Sequence, residues 1–386
     1  MKKILLCMAV CMTMISGCAA PKKVEHGVVF YPEPPNLPRV QFLVSFTGEK
    51  DIQPPKSGFE AFVTGVKESP RRLDKPYGVA IHEGKIYVCD TNATVMVFDL
   101  NKRTYEPLKG AVGLGKLVQP INISVDRDGN KYVADSVRGQ VIVFDKNDLY
   151  VKAFGRSGAW RPVDAVVFEG KLYVADAANR EIKVFDKNSG VLERSFGAKG
   201  EIDAQLVRPI NLVFDAEGYL YVTDAGRFQV VRFDRDGHFF GTIGKLGTNI
   251  GHFGRPRGVA ADKENRIYVA DASYNNVQIF SRDGQNLTFF GEAGTDPGKL
   301  TLPAKVVIDY ENKKYFEKYV DPNFAMEHLV IVTSQFGDRL VNVFAFGKEK
   351  GKKYPSDEEF FEQLKERLQK QRKEQPQETE KPEEDK

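Results

Sequence analysis

A motif that begins with proline and recurs along the chain constrains the fold more than any other feature of this sequence. Each copy contains a strand-like run after the proline, a second run ending in Tyr-Val-(small residue)-Asp and a third ending in Phe-Asp or Phe-Ser. A turn such as Glu-Gly or Asp-Gly separates the first two runs, and a further run closing on Phe-Gly often follows. We therefore predict four antiparallel strands per copy. The copies begin at Pro76, Pro120, Pro162, Pro209 and Pro256, with spacings of 44, 42, 47 and 47 residues.

A sixth copy is degenerate and lacks its last strand. It begins at Pro303, continues through 329–334 and 340–346, and then turns to Gly-Lys-Glu-Lys. Near the other end of the chain, Val40–Phe46 reads as a strand with no neighbouring partner in sequence. A lone strand must pair its backbone groups elsewhere. We predict that this N-terminal strand pairs with the third strand of the sixth copy and closes a ring.

Repeats of this length with four antiparallel strands are typical of β-propeller blades. The predicted fold is all-β: a six-bladed β-propeller over residues 39–347, closed by an N-terminal strand. The Tyr-Val-Ala-Asp segments and the sequence NREIKVFD at 179–186 also resemble the NHL repeat. That resemblance implies the propeller fold, but it implies little about activity, because propellers host many functions.

The first residues resemble a bacterial lipoprotein signal. Two lysines precede an apolar stretch from Ile4 to Ile15, which ends in Ser-Gly-Cys18. The resemblance implies removal of residues 1–17 and lipid attachment at Cys18, and Ala19 favours the outer membrane over inner-membrane retention. We therefore expect a cell-envelope protein anchored to the outer membrane by lipid, with an ordinary secretory signal as the alternative.

The segments on either side of the propeller differ in composition. Residues 18–38 are proline-rich, which favours an extended tether. A linker and an amphipathic helix are predicted over 348–372, starting at a capping box formed by Ser356 and Glu359. The acidic residues 373–386 contain no apolar side chain, and we expect this tail to be disordered.

Charge and cysteine content exclude several classes of protein. The formal net charge is only +3, which gives no general attraction to nucleic acid. Cys7 and Cys11 would leave with the signal peptide and Cys18 would carry the lipid, so Cys89 is the one free cysteine that remains and an internal disulfide is excluded. The sequence has no Cys-x-x-Cys-His motif and therefore no covalent haem site.

Three kinds of residue that recur at the same position in the copies are expected to have structural roles. We expect the aspartates that end the second strands to accept hydrogen bonds from backbone N–H groups of the following turn, rather than to form a ring of metal ligands. Cys89 stands where other copies have Ala or Thr, and we expect a small buried residue. The tyrosines in one register are expected to pack between blades. The aspartates are Asp90, Asp135, Asp176, Asp224 and Asp271, and the tyrosines are Tyr87, Tyr132, Tyr173, Tyr221 and Tyr268.

Basic residues next to the repeated proline form the first candidate site. Because they share one register, we expect them on one face, around the channel mouth, where arginine can make bidentate contacts to carboxylate or phosphate. The expected partner is an envelope or surface protein with an acidic patch, or an anionic glycan; nucleic acid is not expected, because the ring has no aromatic stacking platform. The alternative is that these cations are merely solvated or stacked on a neighbouring blade. They are Lys75, Arg161, Arg208, Arg255 and Arg257.

An enzymatic alternative rests on Asn122, Asp164 and Asn211, two residues past the proline in three blades. Two amides and a carboxylate could hold Ca²⁺ in a manner similar to lactone-hydrolysing six-bladed propellers. Those enzymes also supply a glutamate, and no carboxylate occupies the matching position in the first, fifth or sixth copy. The main prediction is therefore a binding or scaffolding module without cofactor, with a Ca²⁺-dependent lactone or ester hydrolase as the alternative. A purely structural envelope protein is the third possibility.

An insertion at about 310–328 lengthens the first hairpin of the sixth copy. It carries Tyr315, Phe316, Tyr319 and Phe324 beside charged residues, a composition seen in contact surfaces. We expect either a partner-binding excursion or a hairpin packed on its own blade.

Overall fold

The computed structural model describes residues 27–53, 70–92 and 94–356, together with Glu359 and Glu362. The predicted signal peptide, Cys18, most of the predicted C-terminal helix and the acidic tail lie outside the described residues. The start of that helix has the expected capping box: Ser356 N donates to the Glu359 carboxylate at 2.9 Å, and Glu359 N donates to Ser356 Oγ at 3.2 Å. Within the described ranges, no helix is long and apolar enough to cross a bilayer.

Six antiparallel sheets form the blades of a propeller, as predicted. Each inner strand contacts the inner strands of both neighbouring blades, and the sixth contacts the first, which closes the ring. Blade 1 contains β3 (Pro76–His82), β4 (Lys85–Asp90), β5 (Thr94–Asp99) and β6 (Thr104–Pro107). Blade 2 contains β7 (Pro120–Val125), β8 (Lys131–Asp135), β9 (Gln140–Phe144) and β10 (Tyr150–Phe154). Blade 3 contains β11 (Pro162–Phe168), β12 (Lys171–Asp176), β13 (Glu181–Asp186) and β14 (Leu192–Phe196).

The remaining blades repeat this order, and the last is completed by the N-terminus. Blade 4 contains β15 (Pro209–Phe214), β16 (Leu220–Asp224), β17 (Gln229–Phe233) and β18 (Phe239–Ile243). Blade 5 contains β19 (Pro256–Ala261), β20 (Ile267–Asp271), β21 (Asn276–Phe280) and β22 (Asn286–Phe290). Blade 6 contains β23 (Pro303–Asp309), β24 (Phe324–Ser334) and β25 (Val341–Glu349), followed by β2 (Val40–Phe46) and β1 (Phe30–Tyr31).

The N-terminal strand closes the ring where it was predicted to do so. β2 pairs antiparallel with β25, from Val40 opposite Phe346 to Phe46 opposite Val341. β1 adds a short fifth strand, and Tyr31 Oη donates to the Gly298 carbonyl at 3.0 Å. Part of the predicted tether is therefore docked on blade 6, so the folded body begins earlier than the sequence indicated.

The hydrophobic core lies between adjacent blades. The repeated tyrosines are buried there, as expected, and they link blades: Tyr87 Oη donates to Asp148 of blade 2 and Tyr173 Oη to the Arg235 carbonyl of blade 4. Cys89 is fully buried in the core between blades 1 and 2, and burial raises the pKa of its thiol. The interpretation of Cys89 as a packing residue is thus confirmed.

The repeated aspartates accept hydrogen bonds from backbone N–H groups of the following turn, as predicted, and also from the loop that precedes the inner strand of the same blade. Asp135 accepts from Arg138 N in the following turn at 2.9 Å. It also accepts from Val118 N and Gln119 N, just before the inner strand, at 2.6 and 3.0 Å. Each aspartate therefore fixes the loop that leads into its own blade. The same pattern holds at Asp90, Asp224 and Asp271, and in part at Asp176.

The topology places one set of loops on the same side of the ring. These are the connections from each outer strand to the next inner strand, together with the turns between second and third strands. We call this side the loop face; the inner strands begin there. Its long connections that the structure describes in full are 108–119, 155–161, 197–208, 244–255 and 291–302.

Candidate functional site

A ring of side chains two residues past the repeated proline narrows the channel just below the loop face. Asn122 Nδ2 donates to the Val163 carbonyl of blade 3 at 2.9 Å. Asp164 Oδ2 accepts from Asn211 Nδ2 at 2.6 Å and from Leu212 N at 2.8 Å, while Asn211 Oδ1 accepts from Val259 N at 2.8 Å. The structure therefore brings Asn122, Asp164 and Asn211 into one ring, and their hydrogen bonds tie each inner strand to the next blade. Asn122 Oδ1 is buried without a hydrogen-bond partner among the described residues.

Lys305 completes this ring from the opposite side of the channel. Its Nζ lies 3.2 Å from Asp164 Oδ2, although the two residues belong to blades 6 and 3. Both side chains are buried, with residue exposures of 7% and 2%. Burial raises the pKa of the Asp164 carboxyl, and the Lys305 ammonium opposes that shift. Lys305 also stands two residues past the proline of its copy, Pro303, but no sequence signal indicates that its side chain reaches across the channel to Asp164.

Behind this ion pair the channel is an apolar cavity of about 280 Å³. Val79, Val166, Val213 and Val307 are among the lining residues, and Asp164 and Lys305 mark the end nearest the loop face. The cavity therefore presents hydrocarbon along most of its wall, the Asp164–Lys305 ion pair at one end and Asp309, the last residue of β23, at the other.

The predicted Ca²⁺ site does not fit these residues. Calcium requires six to eight oxygen ligands, whereas the single carboxylate of the ring already accepts from two nitrogens of blade 4 and from a lysine ammonium. Among the described residues, no group of three His, Cys, Asp or Glu side chains is arranged to hold a metal ion. We therefore derive no hydrolytic step through Ca²⁺ at this position.

The predicted basic residues lie above this ring at the channel mouth. Lys75, Arg161, Arg208 and Arg255 are exposed, and Arg257 is half-buried. Arg257 Nη1 donates to Tyr77 Oη at 3.1 Å, and its guanidinium lies 5.7 Å from the centroid of the Tyr77 ring. None of the five cations forms an ion pair with another residue of the described ranges. Tyr77, which orients Arg257 from blade 1, was missed because a tyrosine after the proline occurs in only one copy.

Three of these five cations stand at the starts of two neighbouring inner strands: Arg208 just before β15, Arg255 just before β19 and Arg257 within β19. The charge of Arg257 is the largest cause that lowers the pKa of Arg255; partial burial and the charge of Arg208 act in the same direction. We call Arg208, Arg255 and Arg257 the arginine cluster. No described contact joins Lys75 or Arg161 to it, and Lys75 instead lies 5.9 Å from the ring of Phe336 on blade 6. For Lys75, the alternative that the cation stacks on a neighbouring blade therefore agrees with the structure.

The insertion of blade 6 packs on the propeller. Residues 310–323 contain two 3₁₀ turns, Lys313–Tyr315 and Glu317–Tyr319. Phe316 and Phe324 are buried, and Tyr315 Oη donates to Asn101 Oδ1 of blade 1 at 2.8 Å. Tyr319 is the aromatic side chain of this segment that remains exposed, at 39%. The segment is therefore mainly a cover over blades 6 and 1.

Comparisons with known proteins agree with this architecture. The model of the NHL repeat matches residues 253–280. No curated protein matches the chain closely enough in sequence to count as a relative.

Several solved structures share the fold at low sequence identity. A Bacteroides thetaiotaomicron protein of unknown function superposes with a TM-score of 0.55 at 14% identity, covering 80% of this chain and 75% of that one. An auxiliary nutrient binding protein from the same organism gives 0.54 at 10% identity, covering 71% and 70%. A gluconolactonase from Xanthomonas campestris gives 0.53 at 14% identity, covering 79% and 98%. At these identities the likeness concerns the fold alone.

Proposed function

Because the chain is an NHL-repeat six-bladed β-propeller with an arginine cluster at its channel mouth, we propose that it is an anion-recognising binding module of the bacterial cell envelope. The ligand is a carboxylated or phosphorylated group, carried by an anionic glycan or by the acidic patch of an envelope protein. In this proposal the body is held at the outer membrane by lipid on Cys18.

The observation that carries the proposal is the clustering of like charge. Three arginines stand at the loop-face ends of the adjacent inner strands β15 and β19 of blades 4 and 5, and no carboxylate of the described residues pairs with any of them. Like charges held together destabilise the free protein, and an anion that contacts two of them relieves that repulsion. Tyr77 orients Arg257 from the other side of the mouth, so part of the site is preorganised before a ligand arrives.

A charge-removal experiment tests this proposal. The variant Arg208→Gln/Arg255→Gln/Arg257→Gln should bind dextran sulfate and polygalacturonate at least about tenfold more weakly than the unchanged chain at low salt. Isothermal titration gives the affinity, and circular dichroism confirms that the variant folds.

A second variant removes the same charge from the opposite face. Lys102, Arg127 and Lys146 are exposed in turns on that face, and none forms an ion pair among the described residues. The variant Lys102→Gln/Arg127→Gln/Lys146→Gln should keep the original affinity. Equal losses in the two variants would mean that net charge alone attracts the polyanions, and the proposed site would be wrong.

The lipid anchor is tested separately. Cys18→Ser should move the protein from the membrane fraction to the soluble fraction and abolish metabolic labelling with palmitate. Membrane retention of that variant without label would contradict anchoring through Cys18.

A further inference from the structure

Three connections of the loop face display a large aliphatic side chain to solvent. Leu114, Ile202 and Ile250 are 74%, 79% and 73% exposed, in the connections 108–119, 197–208 and 244–255. Isolated exposed aliphatic residues are ordinary. Here, however, the same kind of residue recurs in the middle of three loops on one face.

In two of these loops an arginine fixes the backbone beneath the aliphatic residue. Arg138 donates to the Leu114 carbonyl at 2.8 Å and to the Lys116 carbonyl at 2.6 Å. Arg227 donates to the Ile202 carbonyl at 2.8 Å and to the Gln205 carbonyl at 3.0 Å. Each arginine comes from the turn between the second and third strands of the blade that the loop enters. The loops are thus held in a shape that presents leucine or isoleucine outward.

The third loop reaches the same result with different residues. Gln278 accepts from Gly251 N at 3.0 Å and donates to the His252 carbonyl at 2.9 Å, and Tyr274 Oη donates to the Gly247 carbonyl at 2.6 Å. These bonds bracket Ile250 on both sides. Preorganised presentation of an apolar side chain lowers the entropic cost of inserting it into another phase.

Basic residues lie in the neighbouring loops and closer to the channel than these aliphatic residues. The arginine cluster sits at the loop bases, where the inner strands begin. The part of the loop face over blades 3 to 5 also carries four exposed basic residues that form no ion pair within the described ranges: Arg156, Arg180, Lys199 and Lys245. Of the two acidic side chains in connection 197–208, Asp203 already pairs with Arg227 at 3.4 Å. The sector over blades 3 to 5 is therefore basic on a chain with a formal net charge of only +3.

From this arrangement we propose that the loop face docks onto an anionic lipid surface, with Leu114, Ile202 and Ile250 entering the acyl boundary and the arginine cluster contacting headgroup phosphates. The inference rests on the proposed function, because it assigns the lipid headgroup as an anion bound by the same cluster. Basic side chains are attracted to an anionic membrane surface, and insertion of aliphatic side chains adds to that attraction.

The positions of the basic and aliphatic residues on the loop face favour a lipid surface over a protein partner. Protein interfaces usually have an apolar centre and a charged rim. On the loop face the arginines are central and the aliphatic residues stand farther out, in three separate loops. A bilayer can accommodate separate points of insertion, whereas a folded partner would need a matched depression for each.

The path of the N-terminal segment is consistent with this orientation. β1 lies beside the connection 291–302 of the loop face, to which Tyr31 is hydrogen-bonded. Gly27 lies nine positions after the predicted lipid-attachment site Cys18, and a fully extended chain covers about 30 Å at most over that distance. An anchor at Cys18 would therefore keep this face within reach of the membrane.

Vesicle sedimentation tests the inference without the lipid anchor. A chain starting at residue 19 keeps every described residue and carries no acyl group. We expect it to sediment with vesicles of phosphatidylcholine mixed with phosphatidylglycerol, and only weakly with phosphatidylcholine alone. Ile202→Ser/Ile250→Ser should reduce binding at least about tenfold, because each substitution removes an apolar side chain that the inference buries in the membrane. The control Leu149→Ser/Val191→Ser, which alters exposed aliphatic residues of the opposite face, should bind like the unchanged chain.

Binding to dextran sulfate separates this inference from the proposed function. The Ile202→Ser/Ile250→Ser variant keeps the arginine cluster and should bind dextran sulfate normally. If the unchanged chain binds dextran sulfate but not vesicles, or if the isoleucine variant binds vesicles fully, lipid docking is wrong while anion recognition stands. If neither ligand binds, the proposed function fails as well.

Discussion

Asp164 and Lys305 show how one residue pair can link opposite blades of a propeller. Their side chains meet across the channel at 3.2 Å, in a buried setting where an unpaired charge is costly. The same carboxylate accepts two hydrogen bonds from blade 4, so it connects three of the six blades. We infer that this pair stabilises the ring in addition to the pairing of β2 with β25.

Removing the cation should therefore destabilise the fold strongly. Lys305→Met leaves the Asp164 carboxylate buried without a counter-charge, and we expect a loss of about 3 kcal/mol in the free energy of unfolding near neutral pH. Without Lys305 the pKa of Asp164 rises further above its unfolded value. The group then contributes stability below the unfolded pKa and loses it as pH rises through the folded pKa, so the deficit should shrink on acidification. Urea unfolding at several pH values measures this.

The double variant provides the control. Asp164→Asn/Lys305→Met removes both charges and should recover much of the lost stability, with little dependence on pH. If Lys305→Met alone were as stable as the unchanged chain at neutral pH, the pair would have no structural role.

His328 gives the opposite response to acid. It is fully buried, and its Nε2 lies 3.2 Å from Tyr268 Oη. Burial, together with the charges of Arg266 and Arg39, lowers its pKa to about 3. The unfolded chain takes up this proton near the ordinary histidine pKa of about 6.5, so stability falls with decreasing pH across that window by at most about 1.4 kcal/mol per pH unit.

Substitution by glutamine isolates this contribution. His328→Gln should cost stability through lost packing on Phe346, yet it should flatten the dependence of unfolding free energy on pH between about 6.5 and 5, where few carboxyl groups titrate. Unfolding by urea at three pH values in that range is sufficient. An unchanged slope would show that His328 is not the titrating group.

At the level of elements, glycine determines how closely two pairs of inner strands approach. A Cβ on Gly78 would lie 2.5 Å from Asn122 Cα, and a Cβ on Gly258 would lie 2.7 Å from Lys305 Cα. Both neighbours are backbone atoms that cannot rotate away. Blades 1 and 5 thus contact the next blade through backbone, where blades 2, 3 and 4 use the side chains of Asn122, Asp164 and Asn211.

Alanine at Gly258 should therefore push blades 5 and 6 apart. We expect Gly258→Ala to reduce the free energy of unfolding by about 1–3 kcal/mol, the usual cost of overpacking. Thermal unfolding followed by circular dichroism measures the change. Gly27→Ala, where nothing lies within 4 Å of the added atom, should be neutral. A neutral Gly258→Ala would mean that the inner strands separate without cost.

The regular strands were predictable because the repeated proline, turn and Tyr-Val-(small)-Asp signals recur at every blade. β1 was not, because a two-residue strand in a proline-rich segment has no local pattern. It is fixed only by distant contacts, such as Tyr31 with Gly298 and Phe30 with Phe324. The contact of Lys305 with Asp164 was hidden for a similar reason: register placed both residues in one ring, but side-chain reach across the channel is not encoded in spacing.

At the level of the whole molecule, the ring is closed where the start of β2 meets the end of β25. Tyr354 Oη donates to the Pro38 carbonyl at 2.8 Å, and Gly347 N donates to the Arg39 carbonyl at 2.9 Å. The end of β25 and the start of β2 are therefore adjacent, like the two arms of a hairpin that lacks its turn. Most edges are removed in a closed propeller, but blade 6 would expose one without β2.

A circular permutant tests whether position in the chain matters for this closure. Residues 70–356, joined by a short glycine-serine linker to residues 37–53, keep β2 next to β25 but lose the covalent connection from β2 to blade 1. We expect this protein to fold cooperatively with Tm lower by about 5 °C, since the pairing of β2 with β25 is retained while the short strand β1 and the loop from β2 to blade 1 are lost. Residues 70–356 alone should aggregate or unfold non-cooperatively, because the edge of β25 is then exposed. If residues 70–356 alone were as stable as the permutant, β2 would merely cover an already complete ring. If the permutant failed to fold, the covalent connection from β2 to blade 1, and not the pairing of β2 with β25, would close the propeller.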